Sequence, residues 1–232
     1  MCIRDRSYFL ETVILGGAYT VEWFKREFGT GDPGWLAATQ REAESIPAGA
    51  EGLMLLPYWS GAMNPYWDPE ARGAVIGWSG IHGRAHLYRA ILEGCAFEQR
   101  LHSDGVESAL SGAGAPAARI ERYLVSGGGA ESDLWLSIIA SATGRKVQRS
   151  RAKEAASLGA GMLAAAAAGI HAGVEAAAKA MSARDPRIVG PEPADRERYQ
   201  ALFGTYAGLY PALAGSLRRL SGRAERRDGK TG

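Results

Sequence analysis

Three consecutive glycines, Gly127 to Gly129, follow a short β-type run at Tyr123 to Val125. They lead into a helical segment with Leu134, Trp135, Ile138, Ile139 and Ala142 on one side. Glycines permit a tight turn and let a ligand come close to the main chain. A helix that starts there aims free N–H groups and the positive end of its dipole at the same space. That is the chemistry of a phosphate or nucleotide seat. Tight packing of strand on helix uses the same residues, so the stretch alone leaves both readings open. It is not a Walker A loop, because no Gly-Lys-Ser/Thr follows, and it lacks the G-x-G-x-x-G order of a dinucleotide fold.

Other residues invite chemistry less strongly. His82 and His86 are four apart and could share a helix face as metal ligands, but no third ligand lies within sequence reach, so a surface or capping role is expected. Gly77-Trp-Ser-Gly80 resembles part of a hydrolase nucleophile elbow, yet Ile81 stands where the second glycine is required. Cys95 falls in an apolar helical stripe and reads as a small core residue. Glu93, on the same helix, could face a cleft; an exposed or N–H-bound carboxylate is the simpler expectation. The tryptophans could stack on a sugar or on adenine, and for most of them core and loop packing is expected.

The elements that must position these groups follow from pattern. Gly16-Gly17 precede a helix over Ala18–Phe28, with Val21, Phe24 and Phe28 on one face and Gly29 as its stop. Asp32-Pro33 reads as an N-cap and first-turn proline of a helix reaching about Ala43. Leu53 to Leu56 is a short buried-type strand, and Tyr58 to Trp78 an ordered, aromatic-rich loop region with a strand at Ala74 to Ile76. From about Gly83 to Leu110 the apolar spacing at Leu87, Ala90, Ile91, Gly94, Phe97 and Leu101 predicts the longest helix. After the glycine turn and its helix, Gly144 reads as a C-cap, Lys146 to Gln148 as a strand and Ala155 to Ala168 as an apolar helix. Gly159 and Gly161 in that helix suggest close approach to a neighbouring helix or a ligand. A helix near Val174 to Met181, an extended piece at Pro186 to Val189 and a final helix from Ala194 to about Leu220 complete the chain. The β-α-β-α order in the middle predicts an α/β domain with a leading helical arm.

Composition excludes several classes. With 232 residues, 46% of them hydrophobic, 22% charged and a net charge of +2, the chain reads as a soluble globular protein without a nucleic acid or membrane partner. The basic excess is local: Arg218, Arg219, Arg223, Arg226, Arg227 and Lys230 crowd the last fifteen residues, read as a solvated, frayed tail. Two cysteines, Cys2 and Cys95, fit a reducing compartment and a cytoplasmic location rather than a disulfide scaffold. Met1 to Ser7 lacks the apolar core of a signal peptide and resembles translated adapter sequence. Residues 1–10 are therefore expected to be a non-native or disordered leader, 11–220 a single domain and 221–232 a basic disordered tail.

Three motifs in order give the chain a resemblance to the C-terminal domain of the FGGY carbohydrate kinases, most of all the xylulokinase branch. Pro57 to Gly73 (P-Y-W-S-G-A-M-N-P-Y-W-D-P-E-A-R-G) is similar to the family's Y-W-D-P-x-A-R-G segment. Gly73-Ala-Val-Ile-Gly77, leading to His86 through Gly94 (H-L-Y-R-A-I-L-E-G), is close to its second signature, with Trp78 where an aliphatic residue is usual. The glycine turn, with Gly159-Ala-Gly161 further on in place of the family's A-L-G-A-A helix, is the third.

The resemblance implies an actin-like, ribonuclease-H-like ATPase domain, helices packed on a mixed sheet, taking part in ATP- and Mg²⁺-dependent phosphorylation of a sugar hydroxyl. It implies that Gly128 and Gly129 bring their main chain to the nucleotide and that Ser132 faces the adenosine. Gly17 lies near the nucleotide in family members, with a register uncertain by one residue, and Glu22 takes the position of a polar nucleotide contact. Asp68 and Arg72 are assigned a loop-pinning role. The family's catalytic aspartate sits in a glycine-flanked motif before this domain's first helix; nothing before Glu11 matches it. No catalytic residue and no metal ligand is thus assigned within the chain. The implied partners are a ketose such as D-xylulose, or a polyol, and a sugar-binding N-terminal domain, with a homodimer left open. The native chain is expected to begin far upstream, and the piece alone to be inactive. The competing reading is a non-catalytic actin-like ATP-binding regulator or interaction module.

Overall fold

A computed structural model describes residues 2–4, 7–114 and 119–220. The tail expected at 221–232 lies outside these residues, as do Met1, Asp5 and Arg6 of the leader. The predicted long helix runs over Arg84–Gly112 (α3) and organises the larger core. Around it pack Gly17–Phe28 (α1), Trp35–Ser45 (α2) and the antiparallel pair Met54–Leu56 (β3) and Ala74–Ile76 (β4). Their inward side chains, Phe24, Ala43, Leu53, Leu55, Ile91, Leu92 and Phe97 among them, are fully buried. Gly94 lets α3 lie directly on β3: a Cβ there would stand 2.4 Å from the Leu55 carbonyl oxygen.

Helix α2 corrects the expected start. Asp32 does not cap it; its carboxylate accepts the Gly34 N–H at 2.9 Å, closing a turn, and the helix begins at Trp35 with Gly34 as its N-cap. A proline two residues before the helix serves the turn rather than the first helical position.

The mixed three-stranded sheet is built from Arg122–Val125 (β5), Lys146–Ser150 (β6) and Arg184–Val189 (β7), in the order β5-β6-β7. β5 and β6 run parallel, joined across by Asp133–Thr143 (α4), and β7 is antiparallel to β6. Leu136 and Ala140 of α4 pack on Val147 of β6 as a second, smaller core, while Ile138 and Ala142 turn to the larger one. α4 ends at Gly144 in the left-handed region (φ 69°), as its position predicts. The helices Ala155–Ala167 (α5) and Val174–Met181 (α6) pack on each other, and α5 has no buried residue. Gly161 meets only the far end of Met181 at 3.8 Å and Gly159 faces open space, so neither marks a tight helix crossing. At the other end of the chain, Cys2–Arg4 (β1) and Ser7–Phe9 (β2) form an antiparallel pair.

The last helix, Pro193–Leu220 (α7), closes the larger core. Tyr199, Tyr206 and Tyr210 lie seven and four residues apart on one face, all buried. Each hydroxyl donates to a carboxylate far away in sequence: Tyr199 to Glu93 at 2.8 Å, Tyr206 to Glu98 at 2.6 Å and Tyr210 to Asp68 at 2.6 Å. Arg218, in the last turn of α7, also binds Asp68, at 3.1 Å through Nε. It belongs to the folded body, which overturns the frayed-tail reading for this residue; a partner 150 positions away is invisible to local charge counting.

The contact most sensitive to a single atom is Tyr206 with Glu98, because both are buried and the acceptor is a carboxylate. Tyr206→Phe is expected to lower unfolding free energy by about 1–3 kcal/mol in urea titrations with an unchanged slope. A change below about 0.3 kcal/mol would show that the tyrosine–carboxylate contacts do not hold α7 in place.

Candidate functional site

The turn after β5 is shaped by backbone sterics. Gly127 sits at φ 81°, ψ −173°, a region open to glycine alone. Gly128 has open space where a Cβ would point, and Gly129 faces the Trp135 ring, where a Cβ would come within 2.6 Å. Two of the three glycines thus have structural reasons, and Gly128 has none in packing. Among the described residues the amides of Gly128 and Gly129 have no hydrogen-bond acceptor, while those of Ala130 and Ser132 are used inside the turn. Gly128 and Gly129 open a four-residue 3₁₀ turn, Gly128–Glu131, and two adjacent unpaired N–H groups in such a turn can cradle an anion.

Ser132 is the N-cap of α4: its Oγ accepts the Trp135 N–H at 3.2 Å. The hydroxyl proton stays available to a ligand. The turn is braced from behind. Arg149 on β6 donates to the Ala130 carbonyl and to Asp133 (2.5 and 2.7 Å), and Arg187 on β7 donates to Asp133 at 2.9 Å. The Asp133 carboxyl is held below the usual aspartate range by the Arg187 hydrogen bond first; burial opposes it, and the Arg149 hydrogen bond and the charges of both arginines lower it further. Sequence reasoning missed Asp133, Arg149 and Arg187, because the three meet only when β6 and β7 align beside α4.

The other two expected site residues lie on α1. Gly17 is the first residue of that helix, and its N-cap is Gly16. A Cβ on Gly16 would overlap the Pro57 carbonyl oxygen at 1.4 Å, whereas one on Gly17 would make ordinary contact with Ile14 at 3.6 Å. Packing therefore requires Gly16, and Gly17 is the one left for another role. The Gly17 carbonyl oxygen lies 3.8 Å from Cys95 Sγ, and burial pushes that thiol up to about 12, a core residue as expected. Glu22 is exposed and pairs with Lys25 at 2.6 Å. α1 and α4 both pack on α3. The clefts described around Arg196 and beneath Gly77 contain none of Gly17, Glu22, Gly128, Gly129 or Ser132.

The remaining candidates resolve into structure. Glu93 is buried, 3% exposed, so the exposed reading fails; it accepts from the Gly49 N–H (3.0 Å), Arg89 (2.8 Å) and Tyr199. Burial pushes its carboxyl upward, and those three donors pull against it. His86 Nδ1 accepts the Gly83 N–H at 3.2 Å, and its Nε2 meets Glu51 at 2.8 Å. His82 Nδ1 accepts the Ser79 N–H at 2.9 Å. Both histidines are thus loop and cap residues, and among the described residues no group of three metal-ligating side chains occurs. Asp68 and Arg72 pin their loop: Asp68 accepts from Glu70 N–H, Tyr210 and Arg218, and Arg72 donates to the carbonyls of Glu70 and Ala71. Trp23, Trp35, Trp59 and Trp135 pack on the core, while Trp67 and Trp78 are exposed.

Residues 3–168 match the family model described as the FGGY family of carbohydrate kinases, C-terminal domain. The chain is 32% identical over 208 residues to a xylulose kinase of Bacillus subtilis (strain 168), covering 89% of this chain and 40% of that protein. It is 36% identical over 171 residues to a glycerol kinase of Geobacter sp. (strain M21), covering 72% of this chain and 31% of that protein. Among solved structures, xylulose kinase from Rhodospirillum rubrum superposes with a TM-score of 0.70 at 29% identity, over 86% of this chain and 38% of the other. The actin-like reading, helices on a mixed sheet, is borne out by that likeness. The chain spans about two-fifths of the length of the xylulose kinases it matches.

Two measurements probe the turn. Gly127→Ala is expected to destabilise by about 1–3 kcal/mol, the cost of forcing a Cβ into that region, and to speed amide exchange at the turn first. Asp133→Asn tests the brace. A carboxyl whose folded value is depressed stabilises above its unfolded value, near 3.9, and loses that contribution as pH falls through the folded value. The variant should therefore be less stable at neutral pH, by at most about 1 kcal/mol for so exposed a pair, and match the parent only once pH has fallen below the depressed folded value. A difference that persists at lower pH would mean that the charge is not what matters.

Proposed function

We propose a function from one premise: this chain belongs to the FGGY family of carbohydrate kinases, whose C-terminal domain it carries. It is the nucleotide-binding half of an enzyme that transfers the terminal phosphoryl group of ATP to a hydroxyl of a small sugar. The observation that carries this reading is the pair of unpaired amides at Gly128 and Gly129, in front of the positive end of α4. Those N–H groups fit phosphate oxygens; Ser132, fixed as the N-cap, presents its hydroxyl beside them. Gly17 and Glu22 form the second wall, with the α1 N-terminus beside Gly17.

Phosphoryl transfer needs positioning, charge neutralisation and a base for the acceptor hydroxyl more than covalent chemistry from the protein. Mg²⁺ supplies neutralisation when it arrives with the nucleotide phosphates. This chain's own residues hold and orient the nucleotide, and the base and the sugar contacts belong to the N-terminal domain of the complete enzyme. Helix α5 supports such a partner: its thirteen residues end in four alanines, Ala164 to Ala167, preceded by Leu158, Met162 and Leu163, yet none is buried although the helix packs on α6. An apolar helix so thinly covered fits a face that a second domain occupies. The substrate is a ketose such as D-xylulose, by the breadth of the likeness to xylulose kinases, with a polyol as the nearest alternative. The setting is cytoplasmic, in keeping with a free, buried Cys95.

The chain alone is expected to bind ATP weakly by calorimetry and to release no ADP with D-xylulose in a coupled assay. Joined to a sugar-binding N-terminal domain of the same family, it should phosphorylate the sugar, and Gly128→Val should abolish both nucleotide binding and turnover. ATP binding that survives Gly128→Val, or sugar-dependent ADP release by the chain alone, would sink the assignment.

A further inference from the structure

The end of the sheet opposite the glycine turn carries a second concentration of charge. Three adjoining clefts, of about 310, 950 and 520 Å³, share one side chain, Arg196 in the first turns of α7. They lie where β5 and β6 begin, where α4 ends and where α7 starts. Two of the arginines there are already engaged. Arg145 binds Asp104 at 2.9 Å, Glu107 at 3.0 Å and the Ile120 carbonyl at 3.1 Å. Arg100 binds the Ala142 carbonyl and Gln200 and lies 4.0 Å over the Phe203 ring. They satisfy the last carbonyls of α4 and neutralise the nearby acids.

Other cations there are less engaged. Arg122, Lys146 and Arg196 form no side-chain hydrogen bond or ion pair among the described residues, and Arg119 makes no hydrogen bond although its charge acts on Glu107. Of the acids lining the same clefts, Glu121 and Glu197 are also unpaired, so among the described residues three unpaired cations face two unpaired carboxylates. The missing side chain of Gly144 leaves room beside Arg196: a Cβ there would stand 3.4 Å from Arg196 Nε. The N-terminus of the 28-residue α7 opens on the same space and adds its positive end. Guanidinium groups that line one cleft beside a helix N-terminus suit a phosphate, through paired N–H donors. With acids interspersed and a chain charge of only +2, the cleft suits a small anion and not a nucleic acid.

We infer that this cleft around Arg196 is a second anion site, separate from the glycine turn, that binds a small phosphorylated molecule. β5 alone holds the two sites about 10 Å apart, at opposite ends of its four residues. The inference does not rest on the kinase reading, because no residue of the glycine turn contributes to it.

Calorimetric titration of the whole chain with pyrophosphate at low salt tests it. Saturable binding is expected, weakened about tenfold or more by Arg196→Glu and again by Arg122→Glu, with unchanged thermal unfolding because neither side chain has a hydrogen-bond or ion-pair partner among the described residues. Arg41→Glu, an exposed charge reversal on α2, should leave the affinity unchanged within about twofold. Equal weakening by Arg41→Glu would show bulk charge instead of a site. Undiminished binding in Arg196→Glu that is lost in Gly128→Val would place the anion at the turn and overturn the proposal. Self-association lost in Arg196→Glu, without pyrophosphate binding, would make a second copy the occupant and overturn it equally.

Discussion

Three carboxylates held by tyrosines of one helix fix the arrangement of everything else. Glu93 and Glu98 on α3 and Asp68 in the loop before β4 each take a hydroxyl from α7, across 106, 108 and 142 residues of chain. Glu98 also receives the Tyr58 hydroxyl at 3.1 Å and lies 3.4 Å from His102, and Glu93 holds Arg89 and the Gly49 amide. Buried carboxylates are costly unless every lone pair is met, so these contacts tolerate no alternative seating of α7 on α3. The register of the two longest helices follows from it.

That register carries through to both ends of the sheet. α4 packs on α3 and α7, so the position of its N-terminus, and hence of the glycine turn, derives from the same closure. Its C-terminus meets Arg100 from α3 and lies beside Arg196 from α7. One helix thus presents its positive end to the proposed nucleotide seat and has its negative end covered by arginines. The division is economical in physical terms: partial charges of one dipole are met by opposite partners at each end.

Against this frame, the Gly127–Gly129 turn has a definite division of labour. Gly127 makes the backbone path, Gly129 makes room for Trp135, and Gly128 is free to face a ligand. Arg149 and Arg187 hold the turn through Asp133 from the sheet side, so its amides are presented by a braced loop and not by a flexible one. Pre-set donors of that kind bind an anion without first having to be ordered.

The sequence by itself determined the elements and the family. Apolar spacing located α1, α3 and α4 within a few residues, because a helix face buried in a core repeats locally every three to four positions. The glycine turn, the loop at Pro57 to Gly73 and the segment at His86 to Gly94 were legible because turn geometry and close packing restrict residue type at fixed local spacing. Local pattern misplaced the start of α2, where Asp32 and Pro33 build a turn instead of a cap, and misread Arg218 as tail. The tyrosines of α7 and their acceptors were not read from local pattern. Only the tertiary structure decided which carboxylates those tyrosines meet, that Glu93 is interior, that Arg149 and Arg187 brace the turn and that Arg196 has no partner among the described residues. Each of those facts joins residues tens to more than a hundred positions apart, and sequence pattern carries no information on which distant side chains will satisfy one another.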